Sequence, residues 1–226
     1  MAGHDMIHLM QDISPARRPG APTQTASCWH NTAIHRLMLT ALLNTLDNAL
    51  LTTSSATRTL EEWSRAHHLA ADPTVRAVRV ASPERSCPAE LLAALACSEK
   101  NETLRYRHVR LMCGDLVLSE AENWYIPSRL SPAMNTELET TDTPFGRVVA
   151  QLSFTRRLIT AERLWAPLPN GWELTPLEAG NATPLTFPPL TLRHQAVLHT
   201  QPGVPFSAVI ETYTSAAFQF PPPDLR

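Results

Sequence analysis

Glycine is scarce in this chain of 226 residues, 7 against 20 prolines, so its turns and linkers are stiff rather than flexible. Charge is not in excess. A formal net charge of -2 gives no global electrostatic reason to expect a nucleic-acid partner. No apolar run approaches the roughly 20 residues that a membrane span needs. The stretch MAGHDMIHLMQDISPARRPG lacks the continuous apolar core of a signal peptide, and the expectation is a cytoplasmic protein. None of the four cysteines, Cys28, Cys87, Cys97 and Cys113, forms a CxxC pair, which excludes zinc-ribbon spacing and favours thiols of a reducing compartment. The nine histidines are scattered without HExxH spacing, so no metal site is expected. A Gly-rich phosphate loop and a GxSxG nucleophile elbow are also absent.

What is present is a hydrophobic content of 43% and a readable periodicity. Residues 1–30 mix Pro, Arg, Gly, Ser and Thr without a period and read as a flexible leader. Ile34, Leu37, Leu39, Leu42, Leu43, Leu46 and Leu50 recur at helical spacing over 32–51. Thr52 to Ser55 offer N-caps for a second helix from Ala56 to about Ala70. A short strand follows around Val75 to Val80, then a helix over Ala89 to Cys97 started by Pro88. Strands over 104–113 and 116–126 flank the turn Cys113-Gly114-Asp115. A short helix over 133–139, another helix start at Thr143-Pro144 and an extended run over 152–159 come next. Prolines from Pro167 to Pro189 make about 166–190 read as a loop insertion. A last hairpin joins strands over 192–200 and 206–213, and 215–226 reads as a tail. Helices first and antiparallel strands after give an α+β fold: a single antiparallel β-sheet with helices packed on one face, within one domain over 31–214.

Three groups of residues can carry chemistry. Alternation puts Arg105 and Arg107 on one strand face with Val109 and Leu111. An arginine there either holds an organic anion through its planar fork or sits at the solvated end of the strand. Glu211 interrupts the apolar run from Phe206 to Tyr213, so it is either ion-paired or aimed at a ligand. Glu120 and Glu122 share a strand face, as paired catalytic carboxylates or as a solvated strip.

The order of short motifs over about residues 42–214 resembles the chorismate lyases and their superfamily, which includes effector-binding domains of bacterial transcription regulators. Thr143-Pro144-Phe145-Gly146-Arg147 is similar to that family's T-P-L-G-R. Phe154-Thr155-Arg156-Arg157-Leu158-Ile159 is similar to its L-T-R-x-F-I. The hairpin from Arg107 to Cys113, Gly203-Val204-Pro205 with Ile210 to Tyr213, and Ser55 to Leu60 extend the match. The resemblance implies an antiparallel sheet with a ligand enclosed beneath helical flaps. It implies a lyase that eliminates pyruvate from chorismate to give 4-hydroxybenzoate, needing no metal or organic cofactor. The alternative it implies is a non-catalytic module of the same fold that senses a small carboxylic acid.

Carried over residue by residue, the family's substrate arginine becomes Arg107 and its C-terminal glutamate becomes Glu211. Phe145 replaces a leucine whose backbone helps bind the carboxylate. Three departures touch the same pocket. Ungapped alignment puts His108 at the arginine position, so Arg107 requires a one-residue shift such as a β-bulge. Glu122 stands where a glycine approaches the ligand, and Ala56 replaces a flap methionine.

Overall fold

The structure, a computed structural model, describes residues 29–97 and 102–224. Most of the expected leader, with Cys28, lies outside the described residues. Thr32 caps the first helix, α1 (Ala33–Thr52), by accepting from the His35 N–H. Leu39, Leu43, Leu46 and Leu50 form one fully buried stripe on it. Each such leucine stabilises the fold by roughly 1.5–3 kcal/mol over its exposed state. Ser55 caps α2 (Ala56–Ala66) in the same way, accepting from the Arg58 N–H.

Six strands build the main sheet: β2 (Val75–Arg79), β3 (Arg105–Cys113), β4 (Leu116–Tyr125), β5 (Thr155–Arg163), β7 (Leu190–His199) and β8 (Pro205–Thr214). Their order is β2-β3-β4-β8-β7-β5, with every neighbour antiparallel. The two expected hairpins, β3–β4 and β7–β8, meet along β4 and β8, which sets Glu211 opposite Ala121. On one face lie α1, α2, α4 (Pro132–Thr140) and α5 (Phe145–Val148), packed over Val109, Leu111, Tyr125 and Leu198. The fold is therefore α+β, one antiparallel sheet with helices on one face. The short α3 (Ala89–Leu95) crosses the other face, where Leu91 and Leu95 pack on Trp124, Val197 and Ala208.

Two stretches read as irregular carry structure. The proline-rich insertion contributes β6 (Gly180–Pro184), which pairs with β1 (His30–Thr32) as a second, two-stranded sheet. All five residues of β6 are exposed, so no apolar alternation announced it. Gly180 has φ +74°, and a Cβ there would lie 2.1 Å from the Asn31 carbonyl oxygen. Gly180→Ala is expected to cost at least ~1–2 kcal/mol from the left-handed backbone alone. Faster amide exchange at β1, with the main sheet unchanged, is the measurement that checks it. Beyond Thr214, the expected tail begins with a 3-10 turn over Ser215–Phe218. Phe218 and Phe220 are buried against Trp29 and Trp63, so the packed core reaches past both of the bounds at 31 and 214.

Candidate functional site

Alternation along the strands decides which side chains meet under the helices. Arg107, Val109 and Leu111 of β3 lie opposite Asn123, Ala121 and Ser119 of β4. The ladder is regular from Arg105 to Leu111, and its irregularity falls between Leu111 and Met112. Arg107 is therefore on the helix-covered face and His108 on the other.

A small cavity of about 40 Å³ lies between the sheet and the α1–α2 turn. Its floor is Val109, Leu111, Ala121, Asn123, Leu198 and Val209, with Arg156 and Glu211 as its charged members. Its roof is Ser54, Ser55, Ala56, Thr57, Phe145, Gly146 and Phe154. Above the roof runs an open groove of about 660 Å³ that shares Ser54, Ser55, Thr57, Gly146 and Phe154 with it.

Glu211 and Arg156 form a buried ion pair, 2.7 Å from Oε2 to Nη2, with their side chains 10% and 3% exposed. The Tyr213 hydroxyl donates to the same Oε2 at 3.2 Å. Arg156 also donates to the Leu50 carbonyl at 3.5 Å, in the last turn of α1, where the helix dipole favours a cation. Burial works against the Arg156 charge, but Glu211 beside it outweighs this and raises its pKa. Burial first, then Glu211, pushes the Tyr213 phenol well above its ordinary value.

Arg107 is 4% exposed but does not line the cavity. It sits two residues from Val109 and across from Asn123, both of which do. Its Nη2 donates to the Thr143 carbonyl at 3.1 Å, just before Pro144 and Phe145. Its Nε and Nη1 are buried and have no hydrogen-bond partner. Burial, and then Arg79 nearby, lowers its pKa to about 10. A buried cation with unpartnered donors is costly to the free protein.

Of the residues expected from the sequence, the structure brings Glu211, Phe145 and Ala56 to the cavity and sets Arg107 beside it. Glu122 and His108 are not brought there. They face each other on the opposite side of the sheet, because strand side chains alternate with period two. Glu122 accepts from Arg85 at 2.8 and 3.0 Å and from the Tyr106 hydroxyl at 2.7 Å. Burial of the Tyr106 phenol, and then that carboxylate, push its pKa up to about 12. His108 meets Ser82 at 3.1 Å and Glu120 at 3.7 Å. Glu120 is also bound by Arg110 at 2.9 Å.

The sequence reading missed Arg156, although the run Phe154 to Ile159 contains it. It also missed Asn123 and a second charged pair behind Glu211. There His194, fully buried and opposite Glu211 in the β7–β8 ladder, meets Asp47 of α1 at 2.9 Å. Arg163 holds the other Asp47 oxygen at 3.3 Å. Burial opposes the Asp47 charge, but the bonds from His194 and Arg163 lower its pKa below the ordinary 3.8. A depressed carboxyl stabilises the fold above its unfolded pKa and stops doing so as pH falls through its folded one. The melting temperatures of the wild type and Asp47→Asn should therefore differ most above about pH 4 and converge below it.

Among the described residues, no group of three or more His, Cys, Asp or Glu could hold a metal ion. Among the same residues, no helix is long and apolar enough to cross a membrane.

No protein-family model matches this chain. Among solved structures it is similar to PhnF from Mycobacterium smegmatis, at a TM-score of 0.47 and 14% identity over 75% of this chain and 67% of that one. It is also similar to a possible transcriptional regulator, YydK from Bacillus subtilis, at a TM-score of 0.38 and 18% identity over 66% of this chain. The match spans 62% of the YydK chain. Likeness at these scores assigns no activity. A protein of Sinorhizobium fredii described as uncharacterized protein y4mC is 46% identical over 197 residues, covering 86% of this chain and 83% of that protein. At that identity and coverage, the chain belongs to the same protein family as y4mC.

Proposed function

We propose that this chain is a binding module for a small organic acid, held under the α1–α2 turn with its carboxylate on Arg107. The observation that carries this is the pair of buried, unpartnered donors on Arg107. A carboxylate supplies an acceptor for either of these donors and restores a counter-charge, and charge-assisted bonds of this kind are the stronger ones. The apolar walls Val109, Leu111 and Val209 suit a ring or short carbon skeleton. Arg156 is already neutralised by Glu211, so that end of the cavity takes an uncharged polar group such as a hydroxyl.

At 40 Å³ the cavity holds only a few waters. Entry of an acid requires Phe154 and the Ser54–Ser55 segment to part, which joins the cavity to the groove above. Selection of this open state by the ligand would make the α1–α2 turn the element that reports binding.

A second reading is elimination of pyruvate from chorismate, and the place of Glu211 in the cavity wall favours it. The two readings part on turnover. The test is thermal melting with 4-hydroxybenzoate, chorismate and other small carboxylates, each beside its neutral amide where one exists, while pyruvate release from chorismate is followed. The binding reading expects acids to raise the melting temperature, amides not to, and no pyruvate. Pyruvate release would move the assignment to the lyase. No shift with any acid would overturn the carboxylate site.

A further inference from the structure

We propose that β5 is a self-pairing edge, through which two copies of this chain join their main sheets antiparallel across a twofold axis. The sheet has two edges, and they differ. β2 is five residues long, and the Ala77 N–H at its outer side already donates to the Asp142 carbonyl at 2.8 Å. β5 is nine residues long, and among the described residues its backbone bonds only to β7. A long edge with unpaired backbone groups is a template for another strand. Leu158 and Leu164 stand on and just after it, 39% and 37% exposed.

The side chains of β5 say which strand fits. Leu158 and Ala161 are opposite Ala196 and His194, in rows that continue to the cavity wall at Val209 and Glu211. Arg157 and Glu162 are opposite Val197 and Arg193, in rows on the other face. Ile159 is an extra residue between Leu158 and Thr160 in the β5–β7 ladder. In one antiparallel self-register the faces agree from end to end. Arg157 meets Glu162 of the second copy, Leu158 meets Ala161, and Ile159 meets Thr160; farther out Arg156 meets Arg163, each already ion-paired within its own copy, to Glu211 and Asp47 respectively. Twofold symmetry makes the Arg157–Glu162 pair twice, once on each side of the axis. A slip of one residue sets side chains of opposite faces against each other, and a slip of two loses both charge pairs. Arg157 is exposed, and Glu162 has only the 3.5 Å contact with Arg193, so both are available to a partner. The occupant that this pattern fits is therefore a second copy of the same chain. The same strand carries Arg156, so pairing would brace the strand that holds the charged end of the cavity.

A strand-to-strand contact buries less than a standard interface, so the dimer is expected to dissociate in the micromolar range. Light-scattering mass measured from about 1 to 100 µM tests this. The wild type should move from monomer to dimer over that range. Arg157→Glu sets like charges opposite each other at both pairs and should weaken association at least tenfold. Glu162→Arg should do the same, and R157E/E162R together should return to within a few-fold of the wild type. Both positions are exposed, so unchanged circular-dichroism melts separate lost pairing from lost fold. A wild type that stays monomeric, a dimer indifferent to Arg157→Glu, or a double variant that fails to recover would each overturn the proposal.

Discussion

Glu211→Ala is expected to lower the melting temperature by about 6–20 °C, among the largest effects of any single change in this chain. Arg156 would be left with its charge in a site where its side chain is 3% exposed. Removing one member of a buried pair costs about 3–5 kcal/mol because the other charge remains uncompensated. For a chain of this size each kcal/mol moves the midpoint by about 2–4 °C. Tyr213 would lose its acceptor in the same step. A second change separates burial of a lone charge from loss of shape. Glu211→Leu combined with Arg156→Met replaces the pair by apolar groups of similar volume and should recover most of the loss. Equal destabilisation in the single and double variants would sink the ion-pair explanation.

Arg107→Met should do the reverse, although it also removes a buried charge. The guanidinium has lost its water, and two of its nitrogens have found no partner. A thioether in the same space removes that deficit, and a gain of about 1–3 kcal/mol follows from the usual cost of unsatisfied donors. The melting temperature of the free protein should therefore rise by several degrees. Acid binding should fall at least about 100-fold, since a charge-assisted contact to a carboxylate is lost. Calorimetric titration and melting curves on one preparation give both signs. A less stable Arg107→Met that still binds acid would show that Arg107 supports the fold and not the ligand. The contrast between the two variants has one physical cause: the partner of Glu211 is inside the chain, and the proposed partner of Arg107 is not.

The periodicity of leucines named α1, and the β3–β4 and β7–β8 hairpins were legible from alternation and turn residues. The same alternation put Arg107 with Val109 and Glu211 with Tyr213, which is why these residues meet on one face. Other parts could not be read this way. Arg156 and Arg157 are neighbours in a strand with a bulge, so alternation did not say which one turns inward. Asp47 and His194 are 147 residues apart, and nothing local marks either as the other's partner. His108 and Glu122 entered through motif alignment, which orders residues along the chain but does not say which side of a strand they occupy. Phe218 and Phe220 stand beside a run of prolines, which masked their packing.

The packing of those two phenylalanines has a mechanical consequence. The Trp29 indole donates to the Phe218 carbonyl at 3.2 Å, and the Trp63 indole to the Ala217 carbonyl at 2.8 Å. Residues from the two ends of the described chain are thus fastened to each other rather than to opposite sides of the sheet. A force applied by pulling residue 29 away from residue 220 loads these indole contacts one after another, like opening a clasp. Shear on the six paired strands begins only once the clasp has opened. Such a chain should yield in two steps, a small early extension at low force followed by rupture of the sheet at a higher one.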